Sequence, residues 1–230
     1  MRITIISAAF REQASISATL DDLAAHLPAG TEILIVDGGG DGTGEIVRAR
    51  AASWPGLRHI VHHGDRGKGH AVRSGMDEAS GEVQVQFDAD GQFFAHDIAA
   101  LIAPLLAGEA DVVLGSRFLT RHQAHGTLLR SMGNRVISAW ASLLFNRRMT
   151  DVLAGLKAWR LEAVPVIRPR SDGFEYEVEI PARALRGGLR VCEVAVGTRD
   201  RAAGESKVSV IRTGAKIVWA CLRFRCQRSA

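Results

Sequence analysis

The stretch Glu82-Val83-Gln84-Val85-Gln86-Phe87-Asp88-Ala89-Asp90-Gly91-Gln92 joins a short strand to a carboxylate-rich turn. Residues 82–87 alternate apolar and polar side chains, the period-two pattern of a strand, and Gly91 marks the break that follows. Asp88 and Asp90 stand one residue apart, with the Gln92 carboxamide two further on. Such a set offers hard oxygen ligands to Mg2+ or Mn2+ and leaves coordination positions for the oxygens of a diphosphate. In a parallel sheet this turn would lie beyond the carboxyl end of its strand, where ligands gather.

The flanking sequence supplies that sheet. Residues 2–7, 32–37, 57–61 and 111–114 are short β-branched or apolar runs, and helical spacing connects them over 12–27, 43–52, 71–79 and 96–107. The alternation predicts an α/β chain with a mostly parallel central sheet, Rossmann-like, with helices on both faces. After Ser116 the pattern changes to a long apolar helix over 128–145, with Met132, Val136, Trp140 and Leu144 every fourth residue. A strand at 156–159, a helix over 174–185, a strand over 190–196, a polar loop at 200–206 and a basic amphipathic helix over 208–225 follow.

A chain of 230 residues without repeats or Pro/Gly/Ser-rich linkers fits a single domain, 1–230. The apolar fraction of 47% and the charged fraction of 23% belong to a protein with a real core and exclude intrinsic disorder. The apolar run from Ile98 to Ala107 is too short to span a bilayer, and the opening residues read straight into a strand; a cytoplasmic location is expected. Cys192, Cys221 and Cys226 show no CxxC pair and read as reduced thiols, and the eight histidines are assigned no metal role. The net charge of +4 is unevenly spread: Ser116 to Thr150 holds six arginines and no acid, and Ser206 to Ala230 is again acid-free. Such stretches suit an anionic partner or a solvated face.

Two nucleotide motifs are excluded. The Gly38-Gly39-Gly40-Asp41-Gly42-Thr43 run after the second strand is not GxGxxG, and Gly67-Lys68-Gly69 is not a P-loop. The sequence instead resembles the family 2 glycosyltransferases and, within them, the catalytic domain of the dolichyl-phosphate mannose synthases. Ala8-Ala9-Phe10-Arg11-Glu12 stands at the family's P-A-Y-N-E, and Glu32 to Asp37 with Gly39 and Asp41-Gly42-Thr43 at its EIIVVDDGSTDGT. Gly67-Lys68-Gly69 with Ala71, Gly75 and Ala79-Ser80-Gly81 is similar to its G-x-G-x-A…G…A-x-G segment, and Asp88 to Gln92 to its metal-binding DADxQ. Gly115-Ser116-Arg117, Arg130-Ser131 with Asn134, Thr150-Asp151…Gly155…Arg160, and Arg201…Gly204…Ser206-Lys207 complete the series in order. Ala8, Phe10, Arg11 and Gly38 depart from the family, and its SGFR element is Ala154-Gly155-Leu156-Lys157.

The resemblance implies a GT-A fold, with residues 1–117 as the nucleotide-sugar-binding half and 118–230 as the acceptor half. It implies an inverting transfer of a hexose from a GDP- or UDP-linked donor to a polyprenyl or dolichyl phosphate. Donor contacts fall on Ala8, Phe10, Glu12, Asp37, Lys68, Asp88, Ala89 and Asp90, and a Mg2+ or Mn2+ ion on Asp88, Asp90 and Gln92. Asp90, Arg117, Arg201 and Lys207 are the expected catalytic residues, with Arg201 and Lys207 on a loop able to close over the diphosphate. Arg117, Arg130 and Ser131 are expected on the acceptor phosphate. An ionised phosphate needs no base; a sugar hydroxyl would, and Asp151 is then the first candidate. The 128–145 helix reads as core or as an interfacial helix on anionic lipid, at the cytoplasmic face of a membrane. Nucleic acid is not among the expected partners. Transfer to a glycan or small hydroxyl acceptor, or a non-catalytic nucleotide- or lipid-surface-binding module, remain the alternatives.

Overall fold

The computed structural model describes residues 2–62, 66–119, 128–200 and 210–226, without the side chains of 128–130 and 210–212. The strands are β1 (Ile3–Ala9), β2 (Glu32–Asp37), β3 (Leu57–Val61), β4 (Val83–Gln86), β5 (Val112–Ser116), β6 (Lys157–Arg160) and β7 (Val191–Ala195). The helices are α1 (Ile16–His26), α2 (Thr43–Ala51), α3 (Lys68–Glu78), α4 (Asp97–Leu106), α5 (Leu128–Phe145), α6 (Val164–Ile167), α7 (Tyr176–Arg186) and α8 (Val210–Cys226). The strands form one sheet in the order β3-β2-β1-β4-β6-β5-β7. All pairs are parallel except those of β6, which runs antiparallel to both β4 and β5. The chain is thus a single α/β domain whose sheet is mostly parallel, as the strand–helix alternation predicts.

Strand alternation divides the core between the two faces. Ile5, Ile33, Ile35, Val85 and Val113 point to the side covered by α1, α2 and α4, where Leu20, Val47 and Leu101 are buried. Ile6, Val112, Leu114 and Trp159 point to the other side, against Val72 of α3, Ile137 of α5, Ile180 of α7 and Cys221 of α8. Strands buried on both faces read as near-continuous apolar runs, which explains Ile33-Leu34-Ile35-Val36.

Several element ends differ from expectation by a few residues, among them the start of α1 at Ile16 and that of α3. Helix α3 begins at Lys68 rather than Ala71, because its first turn packs on the 171–173 loop: Gly69 N donates to Asp172 O at 2.8 Å. A β-carbon on Gly69 would lie 2.3 Å from Ser171 O, so only glycine admits that approach. The short Leu161–Ala163 turn and α6, which the sequence pattern does not announce, fill the link between β6 and α7.

Candidate functional site

Because β1, β2, β4 and β5 are mutually aligned, their carboxyl ends share one edge of the sheet. The antiparallel β6 brings its amino end, residues 154–157, to the same edge. Asp37 ends β2, Asp88 and Asp90 follow β4, Arg117 follows β5, and Lys68 opens α3. The residues singled out at strand ends in the first half therefore converge.

Asp37 is nearly buried; its carboxylate accepts from Gly39 N at 2.8 Å and lies 3.1 Å from His59 Nε2. Arg48 Nη1 sits 3.3 Å from His59 Nδ1, so a proton on Nε2 satisfies both contacts of the ring. The loops after β1 and β2 are laced together: Glu12 N donates to Thr43 Oγ1 (3.0 Å) and Gln13 N to Asp41 Oδ2 (3.0 Å). The Glu12 carboxylate accepts from Ser15 Oγ at 2.7 Å at the start of α1. Ala8 and Phe10 are half-buried at the end of β1. Ala89, between the two carboxylates, is buried. Its methyl lies in the core and its carbonyl accepts from Thr19 Oγ1 at 3.0 Å, so only its backbone borders the site.

The centre of the site is a chain of charges. Lys68 Nζ lies 2.7 and 2.8 Å from the two oxygens of Asp88 and 3.2 Å from Glu177 Oε1. Glu177 Oε1 also accepts from Tyr176 Oη at 2.5 Å, while Oε2 pairs with Lys157, which donates in addition to Ala154 O. Gln86 Nε2 closes the network on Tyr176 Oη (2.8 Å) and Gly155 O (3.2 Å). Burial pushes the Asp88 carboxyl up, and the nearby Asp90 and Glu177 charges add to it against the pull of Lys68, leaving it at about 6. Burial acts against the charge of Lys68, but Asp88 and Glu177 outweigh it and hold the ammonium firmly protonated. Burial likewise opposes ionised Glu177, yet Lys157 and Lys68 keep its carboxyl below the ordinary value.

A divalent cation fits this end of the site. Asp88 and Asp90 would offer carboxylate oxygens, and Asp90 Oδ1 accepts from the Gln92 backbone N–H at 3.1 Å, which shapes the turn. Gly155 leaves room for Asp88, where a side chain would collide with the carboxylate. Among the described residues no group of three or more His, Cys, Asp or Glu has metal-binding geometry, so the remaining positions would fall to ligand oxygens.

Beyond β5, Arg117 makes a two-pronged pair with Asp151, Nε to Oδ2 at 2.6 Å and Nη2 to Oδ1 at 2.9 Å. Asp151 is fully buried and also accepts from Arg117 N at 3.1 Å. Both oxygens of Asp151 are thus engaged in holding Arg117. Glu193 of β7 receives the backbone N–H groups of Thr150 (2.8 Å) and Asp151 (3.0 Å), and so fixes the turn behind them. Ser131 is half-buried in the first turn of α5, and the Arg130 side chain lies outside the described residues. Arg201 and Lys207 also lie outside them; within the described residues, Arg199 N donates to Gln92 O (2.9 Å) and Arg199 Nε to Gly91 O (2.6 Å). Arg199 is thus held against the Asp90–Gln92 turn.

Sequence reasoning missed Tyr176, Glu177, Lys157, Gln86 and Glu193. The one signal was the acid-rich run Glu175-Tyr176-Glu177-Val178-Glu179 inside a helix that must also bury an apolar face.

The model of the family described as Glycosyl transferase family 2 matches residues 4–156. An undecaprenyl-phosphate mannosyltransferase of Micrococcus luteus is 30% identical over 98% of this chain and 99% of its own. A polyprenol monophosphomannose synthase of Mycolicibacterium smegmatis is 28% identical over 80% of this chain and 72% of its own. Among solved structures, glucosyl-3-phosphoglycerate synthase from Mycobacterium tuberculosis, in complex with Mn2+, UDP and glucosyl-3-phosphoglycerate, superposes with a TM-score of 0.74. It covers 97% of this chain and 79% of that one at 20% identity, and shares the GT-A fold.

Proposed function

From the premise that this chain belongs to glycosyl transferase family 2, we propose that it is an inverting hexosyltransferase using a GDP- or UDP-linked sugar and a polyprenyl phosphate acceptor. The observation that carries the donor side is the Asp88–Asp90 pair beyond β4, facing Lys68. Residues up to 117 serve the donor and residues 118–230 the acceptor, with Gly155, Lys157 and Glu177 reaching back into the donor half. The nucleoside diphosphate leaves as the acceptor oxygen attacks the anomeric carbon, and the charge gathering on the diphosphate is the obstacle. A Mg2+ or Mn2+ ion, held by Asp88 and Asp90 beside Gln92, would supply Lewis-acid neutralisation of that charge. Lys68 adds a fixed cation, and Arg201 and Lys207, which match the family's motif, would add further cationic contacts to the diphosphate. The Mn2+ and UDP carried by the mycobacterial synthase of like fold support the choice of ion and ligand class.

Arg117, held by Asp151 through Nε and Nη2, would meet the acceptor phosphate, and Arg130 and Ser131, which match the family's motif, would meet it too. A phosphate acceptor is already ionised, which agrees with an Asp151 whose oxygens are both engaged. The names of the bacterial relatives support the same acceptor class. The acceptor's chain would leave along α5 and α8. Met132, Val136 and Leu143 of α5 and Trp219 and Leu222 of α8 are exposed, and Trp140 Nε1 joins the two helices at Val218 O (3.4 Å). No helix among the described residues is long and apolar enough to cross a membrane. The proposed placement is peripheral, on the anionic cytoplasmic face of a membrane.

Transfer of radiolabelled sugar to a polyprenyl phosphate, and not to the matching alcohol, tests the acceptor. Equal transfer to both would overturn the phosphate as nucleophile and favour a hydroxyl acceptor. Calorimetry of GDP and UDP tests the donor side: binding should require Mn2+ or Mg2+ in the wild type and lose that dependence in Asp90→Ala. Equal wild-type affinity in EDTA would overturn the metal.

A further inference from the structure

The proposed reaction uses Asp88, Asp90 and Lys68 but assigns nothing to the buried pair behind them. Lys157 has no exposed side-chain surface and Glu177 has 4%, whereas Lys68 and Asp88 each keep 18%. The four groups therefore form a row from the interior to the site: Lys157, Glu177, Lys68, Asp88. Taking two charges out of water is expensive, and well-packed apolar side chains at 157 and 177 would serve stability as well or better. A reason for the pair lies in the row itself. Lys68 is one cation between two carboxylates, 2.7 Å from Asp88 and 3.2 Å from Glu177. Glu177 is likewise one anion between two ammonium groups.

Resting on the metal reading above, we infer that Glu177, with Lys157 behind it, is a positioning residue that sets how Lys68 is shared between Glu177 and Asp88, and so how strongly Asp88 and Asp90 take a divalent cation. Lys68 and the cation compete for one carboxylate. Whatever draws Lys68 toward Glu177 frees Asp88, and whatever weakens Glu177 turns Lys68 wholly onto Asp88. Lys157 absorbs part of the Glu177 charge and so tempers the pull. Tyr176 Oη at 2.5 Å and Gln86 Nε2 at 3.5 Å steady the oxygen that faces Lys68.

The row predicts opposite signs for its two inner members. Mn2+ alone, titrated into the full chain without nucleotide and read by the spin resonance of free Mn2+, is the probe. Glu177→Gln should raise the Mn2+ dissociation constant about tenfold or more, and Lys157→Met should lower it by a similar factor, since a unit charge at this depth acts on a divalent ion with little screening. The double variant should return near the wild type. Glu177→Asp, which keeps the charge, should lie closer to the wild type than Glu177→Gln. A purely structural network would weaken Mn2+ binding in both single variants in step with their melting temperatures, and that result overturns the inference, as does no change in either. If Glu177→Gln does not fold, Lys157→Met and Glu177→Asp still decide it: tighter binding in the first with near-wild-type binding in the second supports the row, and any other pair of results rejects it. A wild type that takes up no Mn2+ would overturn both this inference and the metal reading. The opposed signs without sugar transfer would overturn only the proposed reaction.

Discussion

A β-carbon placed on Gly155 would fall 1.9 Å from Oδ2 of Asp88. The glycine that opens the approach to β6 and the first carboxylate after β4 are thus fitted to each other, and the carboxylate's position depends on the missing side chain. Gly155→Ala should leave the fold in place but push the Asp88 carboxylate off its seat. Metal-dependent transfer should fall by about two orders of magnitude, since misplacing a group by about 1 Å costs that much. A melting temperature near that of the wild type with lost turnover is the expected result; full activity would show that Asp88 has room to spare.

Asp151→Asn tests the two tasks open to Asp151. Holding Arg117 means that the variant leaves a buried guanidinium facing a neutral amide, a loss of about 3 kcal/mol. The acceptor KM should rise, because Arg117 is no longer squared to its ligand, while kcat for a phosphate acceptor changes little. A collapse of kcat with unaltered stability and KM would identify a proton acceptor instead.

The sequence showed the carboxyl-end edge of the sheet with little ambiguity, because apolar runs ending in Asp37 and Asp88 have few other readings in a chain that alternates strand and helix. It did not show the direction of β6, whose four residues, Lys157-Ala-Trp-Arg160, carry no mark of it. Lys157 and Glu177 were invisible for a related reason. A lysine in a short strand and an acid in an amphipathic helix normally face water, and only the docking of α7 behind β6 buries them together. The helix over 128–145 was legible as apolar but not as two-sided: Ile137 and Ala141 are buried while Val136 and Leu143 are exposed.

The Glu32 carboxylate ties the start of β2 to the turn before β4 through Thr4 Oγ1 (2.6 Å), Ser80 N (2.9 Å) and Arg58 (3.1 Å). Burial alone would raise its pKa, but these donors outweigh burial and hold it below the ordinary carboxylate value. A lowered native value means stability that is present above the unfolded value and is lost as pH falls through the native one. Denaturant midpoints of the wild type should therefore drop between about pH 5 and pH 3, with about 1 kcal/mol of that drop missing in Glu32→Gln. Parallel acid profiles for the two proteins would exclude the contribution.

The α5–α8 face and the exposed Arg223 and Arg225 predict sedimentation with anionic liposomes that weakens with salt. Charge reversal at Arg223 and Arg225 should reduce binding, and Trp219→Ser should reduce what persists at high salt. Binding equal on neutral and anionic vesicles would remove the electrostatic part of the proposal.

Burial pushes the Cys221 thiol up to about 11, while Cys226 is exposed. With a colorimetric disulfide reagent, exposed Cys226 should react at once, half-buried Cys192 more slowly and Cys221 only after denaturation. Cys226→Ser should remove the fast phase. A fast phase that survives in the Cys192→Ser/Cys226→Ser double variant would show that α8 loosens from the core.

The reversed strand has a consequence for how the molecule comes into being. Four strands, β3-β2-β1-β4, form one block, and β5 with β7 forms another; only β6 bonds to both. The residues matched by the family end at 156, one position before that keystone begins. A nascent chain released at residue 156 would expose the unpaired flanks of β4 and β5 to each other, inviting a parallel pairing that the finished protein never uses. In chain order β6 emerges before β7, so β5 reaches the rest of the sheet only through the four residues Lys157 to Arg160, and β7 adds to the far edge last.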